Sequence, residues 1–244
     1  MSGAPSTAWA DLRQVTVRYG RVPALEQVTL RITPGERVAL VGANGSGKST
    51  LLRTLHRLQP LTTGSLQTAS GARQAMLFQR PHLLRLSALR NIALGLWLQG
   101  TPWRSARERA WEALRRVELE SVADANARAL SGGQQQRLAL ARAWALRPAV
   151  WLLDEPTASL DPHAKREVEA LIAEFTTAGQ PDGSPTTLVF SSHNLGQVKR
   201  LASRVMYLEQ GRLLADLPVA DFFNHEILRA VCPQADLFVQ GESL

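Results

Sequence analysis

Cysteine is almost absent: Cys232 is the single one in 244 residues, which excludes an internal disulfide and a metal site built from cysteines. Lysine is nearly as scarce, at Lys48, Lys165 and Lys199, so the 28 basic residues, set against 21 acidic ones, are mostly arginine. The arginines run from Arg13 to Arg229 with acids between them, and no block of five like charges occurs. A nucleic-acid-binding arm is therefore not expected. The basic excess suits an anionic partner, but an arginine-rich solvated surface explains it more plainly, and charge alone decides nothing. Long apolar runs are missing as well. Ile92 to Leu98, interrupted by Gly95, falls far short of the roughly 20 residues that cross a bilayer. Met1 to Leu12 lacks a basic start followed by an apolar stretch, so no secretion signal is expected and the chain reads as cytosolic.

What is present suits one large globular domain with a full core: 45% hydrophobic and 20% charged residues. Val15, Val17 and Tyr19, then Val28, Leu30 and Ile32, alternate with period 2 across the turn-prone Gly20 to Pro23, which predicts two antiparallel strands. The run Val38 to Val41 predicts a buried strand, followed by a glycine-rich loop and a helix over Ser49 to Leu58. A further strand is expected at Ala75 to Phe78, ending at Gln79. Between about Leu83 and Leu130 the character changes. Ala106, Ala110, Trp111, Leu114 and Val117 recur at helical spacing, opposite Arg107, Glu108, Glu112 and Arg115, as in an inserted helical subdomain. Strands follow at Val150 to Leu153 and Thr187 to Ser191, and a helix carries Ala164, Val168, Leu171, Ile172 and Phe175. Thr176 to Pro185 reads as a surface loop, and Leu195 to Ala202 as a short helix. A hairpin joins Val205–Leu208 to Arg212–Leu214, and a helix over Asp221 to Leu244 is expected to pack back on the domain. Strands alternating with helices predict an α/β fold with a mostly parallel central sheet.

Three constellations carry chemistry. Gly42-Ala43-Asn44-Gly45-Ser46-Gly47-Lys48-Ser49, followed by Thr50, fits G-x-x-x-x-G-K-[ST] between a buried strand and a helix. The glycines let backbone N–H groups turn inward around an anion at the positive end of the helix. Lys48 adds a point charge on the β- and γ-phosphates, and the Ser49 hydroxyl can ligate Mg²⁺. The apolar run Val150 to Leu153 then ends in Asp154-Glu155. Successive strand residues point to opposite faces, so the two acids are expected to divide the work. One holds Mg²⁺ through water while the other orients and deprotonates the attacking water; by itself such a pair would be as good a helix cap. Finally, Leu130-Ser131-Gly132-Gly133-Gln134 precedes a helix-like Leu138 to Leu146: again a capping serine, two glycines and a helix start. One chain thus offers two half-sites for phosphate. If each ATP used both, they would come from separate copies, which predicts an ATP-dependent dimer.

With these motifs the chain resembles an ABC-family nucleotide-binding subunit from about Asp11 to Leu214. The order is Tyr19, the phosphate loop, Gln79, LSGGQ at Leu130 to Gln134, Asp154-Glu155, Ser159-Leu160-Asp161, then His193. The resemblance implies a P-loop NTPase sandwich with an N-terminal antiparallel β-subdomain and an inserted α-helical subdomain. The single domain would divide into a core (10–82 and 148–214), a helical subdomain (83–147) and a tail (215–244). It also implies a head-to-tail homodimer with ATP between the phosphate loop of one copy and Ser131 to Gln134 of the other. Tyr19 would stack on adenine, and Gln79 would touch Mg²⁺ and the membrane partner. Glu155 would be the general base, leaving Asp154 to the metal; Asp161 would communicate across the dimer, and His193 would contact the γ-phosphate. Asn194 departs from the acid usual after the histidine, which predicts tuning rather than loss. His56, His82, His163 and His225 carry no signal.

The leading function is therefore an importer ATPase on the cytoplasmic membrane face, driving a separate permease and, indirectly, served by a periplasmic binding protein. A nucleic-acid-associated ATPase of the same family is disfavoured, because the interval from Gln79 to Ser131 is too short for a coiled-coil insertion and one phosphate loop excludes a two-cassette chain. A module without turnover would lack Glu155 or Lys48. Phe78-Gln79-Arg80-Pro81, Asn91 to Leu96 and His193 to Gln197 look similar to oxyanion importers, the tungstate type most of all; amino-acid or phosphate importers read much the same. Arg80, Arg85 and Arg90 either meet acidic groups of the permease or are simply solvated.

Overall fold

In the computed structural model, which describes residues 8–180 and 182–241, two sheets enclose one short helix. Residues 1–7 and 242–244, the ends of the expected domain, and Pro181 of the expected surface loop lie outside the described residues. The period-2 segments form β1 (Ala10–Tyr19) and β2 (Val22–Ile32), paired antiparallel with Leu12 opposite Leu30. A third strand that no sequence pattern announced, β4 (Thr63–Thr68), joins the other edge of β1, placing Leu66 opposite Leu12. Its sequence TGSLQT carries one apolar side chain and gains its strand partner only in the fold.

The second sheet has the order β5-β6-β7-β3-β8-β9. Here β3 is Arg37–Val41, β5 Gln74–Leu77, β6 Val150–Asp154, β7 Thr187–Ser191, β8 Arg204–Glu209 and β9 Arg212–Pro218. All pairs are parallel except β8 with β9. The inner strands β3, β6, β7 and β8 are apolar on both faces because both are covered, whereas β9 at the edge, with Arg212 and Asp216, is largely exposed. Val38, Leu40, Val150, Leu152, Val189, Met206 and Leu208 face the antiparallel sheet and α1 (Lys48–Leu55). Their neighbours Ala39, Val41, Trp151, Leu153, Leu188 and Phe190 face the other helices.

α1 stops three residues before the expected Leu58. Arg57 adopts φ 62°, and Leu58 N–H bonds to Arg53 O at 2.8 Å with Arg57 N–H to Thr54 O at 2.9 Å, a left-handed helix stop made without glycine. The helical subdomain consists of α2 (Ala88–Leu98), α3 (Trp103–Arg116) and α4 (Gly132–Ala145). α4 begins at the glycines themselves, well before Leu138. On α3 the expected face holds at Ala106, Ala110 and Leu114, but Trp111 is 36% exposed, at the rim of the stripe rather than in it. α5 (Pro162–Thr177) and α6 (Leu195–Leu201) cover the sheet. β9 continues to Pro218, past the expected Leu214. The tail forms three short helices instead of one: α7 (Val219–Phe222), α8 (His225–Val231) and α9 (Pro233–Gln240). It does pack back, with Phe222, Leu228 and Ala235 buried and Phe238 5.5 Å from Tyr207. Asp236 holds His225 Nδ1 at 2.5 Å, a pairing invisible in the sequence. Among the described residues no helix is long and apolar enough to cross a membrane.

Candidate functional site

β3 is flanked by β7 and β8; the chain leaving its carboxyl end returns to this sheet at β5, on one edge, whereas the connections leaving β7 and β8 run toward the other edge, and such a reversal is the place where open α/β sheets bind ligands. The loop that leaves there is shaped by glycine. Gly42 has φ 140°, and a Cβ on it would lie 2.0 Å from the Leu208 carbonyl oxygen; at Gly47, φ 106°, a Cβ would lie 2.5 Å from the Ala24 carbonyl oxygen. Gly47 caps α1 without any side-chain hydrogen bond, so the helix presents its first N–H groups open. Lys48 is buried, and its Nζ donates to Gly42 O at 2.8 Å and Ala43 O at 2.9 Å. Burial lowers its pKa, opposed by the charges of Glu155 and Asp154. A buried ammonium bonded mainly to neutral carbonyls, beside open helix amides, is a cradle for an anion.

Asp154 closes the other side. Its Oδ1 accepts from Ser49 Oγ at 2.9 Å and from Ser191 Oγ at 2.8 Å, and Ser191 Oγ also accepts the Glu155 N–H at 2.9 Å. The expectation that both acids belong to a strand is corrected: β6 ends at Asp154, and Glu155 turns to a left-handed φ of 47°. Their different directions come from this turn, not from strand alternation, and neither caps a helix. The carboxylate of Glu155 contacts His193 Nε2. Burial raises the Glu155 pKa, His193 and Lys48 oppose this, and Asp154 reinforces it. The deprotonated, proton-accepting form is thus lost as pH falls through a value above the ordinary 4.5.

A cavity of about 200 Å³ is lined by residues 44–50 together with Ala24, Gln79 and Glu155. The fold therefore brings together the phosphate loop, Thr50, Gln79 and Glu155 with Asp154 just behind Ser49. Ala24 was not legible as a site residue; nothing marks an alanine within β2. A hydroxyl, a carboxylate and an amide are hard oxygen donors, too few to enclose a metal and suited to Mg²⁺, which keeps waters and phosphate oxygens in its shell. Among the described residues no cluster of three His, Cys, Asp or Glu suggests another metal.

Other expected residues lie elsewhere. Tyr19, 47% exposed at the end of β1, donates from its hydroxyl to Gln59 Oε1 at 2.8 Å. His193 reaches the cavity through Glu155. Asp161 caps α5, accepting from His163 N at 2.9 Å and Ala164 N at 3.0 Å, which keeps its pKa low. Ser131 and Gln134 form a reciprocal capping box at the start of α4. A Cβ on Gly133 would come within 3.1 Å of the Ala164 Cβ, so glycine there permits close approach of α4 and α5. None of Ser131, Gly132, Gly133 or Gln134 lines the Lys48 cavity.

Comparison with known proteins agrees with this geometry. Residues 25–158 match the family model described as ABC transporter. The glutamine transport ATP-binding protein of Geobacillus stearothermophilus is 34% identical over 227 residues, covering 87% of this chain and 91% of its own. The aliphatic sulfonates import ATP-binding protein of Pseudomonas fluorescens is 39% identical over 213 residues, with 87% and 78% covered. A dimeric ATP-binding cassette solved in a post-hydrolysis state with ADP and Pi superposes with TM-score 0.76 at 31% identity, covering 86% of this chain and 98% of that one. The chain belongs to the ABC transporter family: it is an ATP-binding cassette, an ATPase that uses Mg²⁺ and couples ATP hydrolysis to transport.

Proposed function

We propose that the chain is one half of a homodimeric importer ATPase that works on the cytoplasmic face of a membrane against a separate permease. The observation that carries this reading is the separation of the two helix starts: Ser131 to Gln134 are absent from the lining of the cavity that holds Lys48 and Glu155. Lys48 and the open amides of α1 bind the phosphates, and Tyr19 offers its exposed ring to the adenine. Ser49, Asp154 and Gln79 hold Mg²⁺, which when bound neutralises phosphate charge. Glu155 orients the attacking water and takes its proton. His193, in contact with Glu155, reaches toward the terminal phosphate. Ser131, Gly132, Gly133 and Gln134 of a second copy complete the anion site, and Asp161 communicates across that interface. Residues 10–82 and 148–214 form the nucleotide-binding core, 83–147 the helical subdomain with Ser131 to Gln134, and 215–244 the tail.

Mixing two inactive variants tests the shared site. Lys48→Ala and Ser131→Arg should each be inactive alone, yet a mixture should regain hydrolysis, because a heterodimer holds one site with both residues intact. A mixture as inactive as its components would show that the site lies within one chain.

For cargo, the motifs at Phe78 to Pro81, Asn91 to Leu96 and His193 to Gln197 support tungstate or a related oxyanion. The glutamine transport relative supports a second reading, an amino-acid importer. Calorimetry of the partner binding protein with tungstate and with glutamine separates them: tungstate binding is expected, and binding of glutamine alone would replace the first reading by the second.

A further inference from the structure

His193 is held by little of its own: its side chain is 42% exposed and touches the Glu155 carboxylate. What fixes its position lies in its chain neighbours. Ser192 is buried, accepts the Asn194 N–H at 3.0 Å and donates to Gln197 Oε1 at 2.7 Å. Gln197 is fully buried on α6, and its Nε2 donates to the buried Thr157 Oγ1 at 3.2 Å. Asn194 caps the same helix, accepting the Gln197 N–H at 3.1 Å. Thr157 stands two residues beyond Glu155. A closed chain of hydrogen bonds thus runs from the loop after β6, which carries Glu155, through α6 to the loop after β7, which carries His193. On the far side of the same two loops, Ser191 bonds both Asp154 and the Glu155 N–H.

We propose that Gln197 and Thr157 are positioning residues for hydrolysis: their buried amide–hydroxyl clasp sets the distance between Glu155 and His193. The inference rests on the reading that those two residues serve the reaction. Glu155 follows a strand end and sits in a left-handed turn, while His193 lies on a separate loop; besides the Ser191 bonds and the contact of the two side chains themselves, the clasp is what ties the outer parts of the two loops. Loss of one clasp partner leaves buried polar atoms unpaired and lets the two loops drift, and a displacement of about 1 Å at such a site costs on the order of 100-fold in rate. Thr157 lies outside the nucleotide cavity, so ATP affinity should be spared.

Steady-state hydrolysis by the full chain tests this with shape-conserving variants. Thr157→Val and Gln197→Met should each lower kcat by about tenfold or more, with KM for ATP nearly unchanged. Thr157→Ser, which keeps the hydroxyl, should behave as wild type. The double variant should be no worse than the poorer single one, because both break the same bond. A His193→Ala control separates the two levels. If it abolishes hydrolysis while Thr157→Val and Gln197→Met keep wild-type kcat, the clasp inference is overturned and the site reading stands. If His193→Ala hydrolyses normally, the site reading falls and takes the clasp with it. A fall in kcat that Thr157→Ser fails to rescue, or that is additive in the double variant, also overturns the clasp.

Discussion

Replacing Glu155 by Gln is expected to lower ATP turnover by about 10²–10⁴-fold, the usual contribution of a positioned general base. The amide keeps the size of the side chain and a hydrogen bond to His193, so the loop after β6 has no reason to move. What it loses is the ability to accept a proton. Lys48, the α1 amides and the Ser49–Asp154 pair are untouched, and nucleotide binding should be retained. Without turnover, the nucleotide-clasped dimer should accumulate. Phosphate release, fluorescent-nucleotide binding and light scattering with Mg·ATP check the three parts. Normal phosphate release would remove Glu155 from the role of base, and a persistently monomeric, ATP-loaded variant would remove the shared site.

Trp151→Ala is expected to destabilise the fold by about 3–5 kcal/mol, the range for emptying a buried aromatic site. Trp151 is 1% exposed on β6, an inner strand of the sheet, with its ring 5.9 Å from Phe175 of α5, which in turn lies 5.6 Å from Trp144 of α4. This aromatic row ties the parallel sheet to the helix that carries Ser131. At about 2–4 °C per kcal/mol for a chain of this size, thermal unfolding should shift down by roughly 6–20 °C. Because Asp154 ends the same strand, hydrolysis at 25 °C should also weaken, yet Mg·ATP should recover part of the lost stability through binding to the folded form. A melting point within a degree or two of the parent would mean that the row is not part of the core.

How much of this was legible in advance follows physical lines. The inner parallel strands are legible because each is a short, continuous apolar run buried on both faces, as with Thr187 to Ser191, whose bounds agree with the structure. β4 has no sequence signature, because an edge strand with one apolar residue, Leu66, owes its state to pairing with β1. The tail was expected as one helix, but Asn224 and Pro233 start separate ones: Asn224 accepts the Glu226 and Ile227 N–H groups, and Pro233 fits the first turn of α9. The apolar run before Glu155 predicts a strand through it; its left-handed φ goes with a bond to Ser191, 36 residues away, which a local pattern does not contain.

The amino-acid sequence by itself determined the chemistry: the glycine-framed loop ending at Lys48 and Ser49, the paired acids, the second glycine-rich helix start, and hence the family. Those features are local, because a glycine turn before a helix attracts an anion wherever the helix lies. Only the tertiary structure decided which of them meet. Bringing Gln79 and Glu155 onto one cavity, and binding Thr157 to Ser192 through Gln197, depends on strands far apart in the chain becoming neighbours in one sheet, and Ala24 joins them only because the antiparallel sheet packs against it. That neighbourhood is set by the packing of both sheet faces and by no single motif.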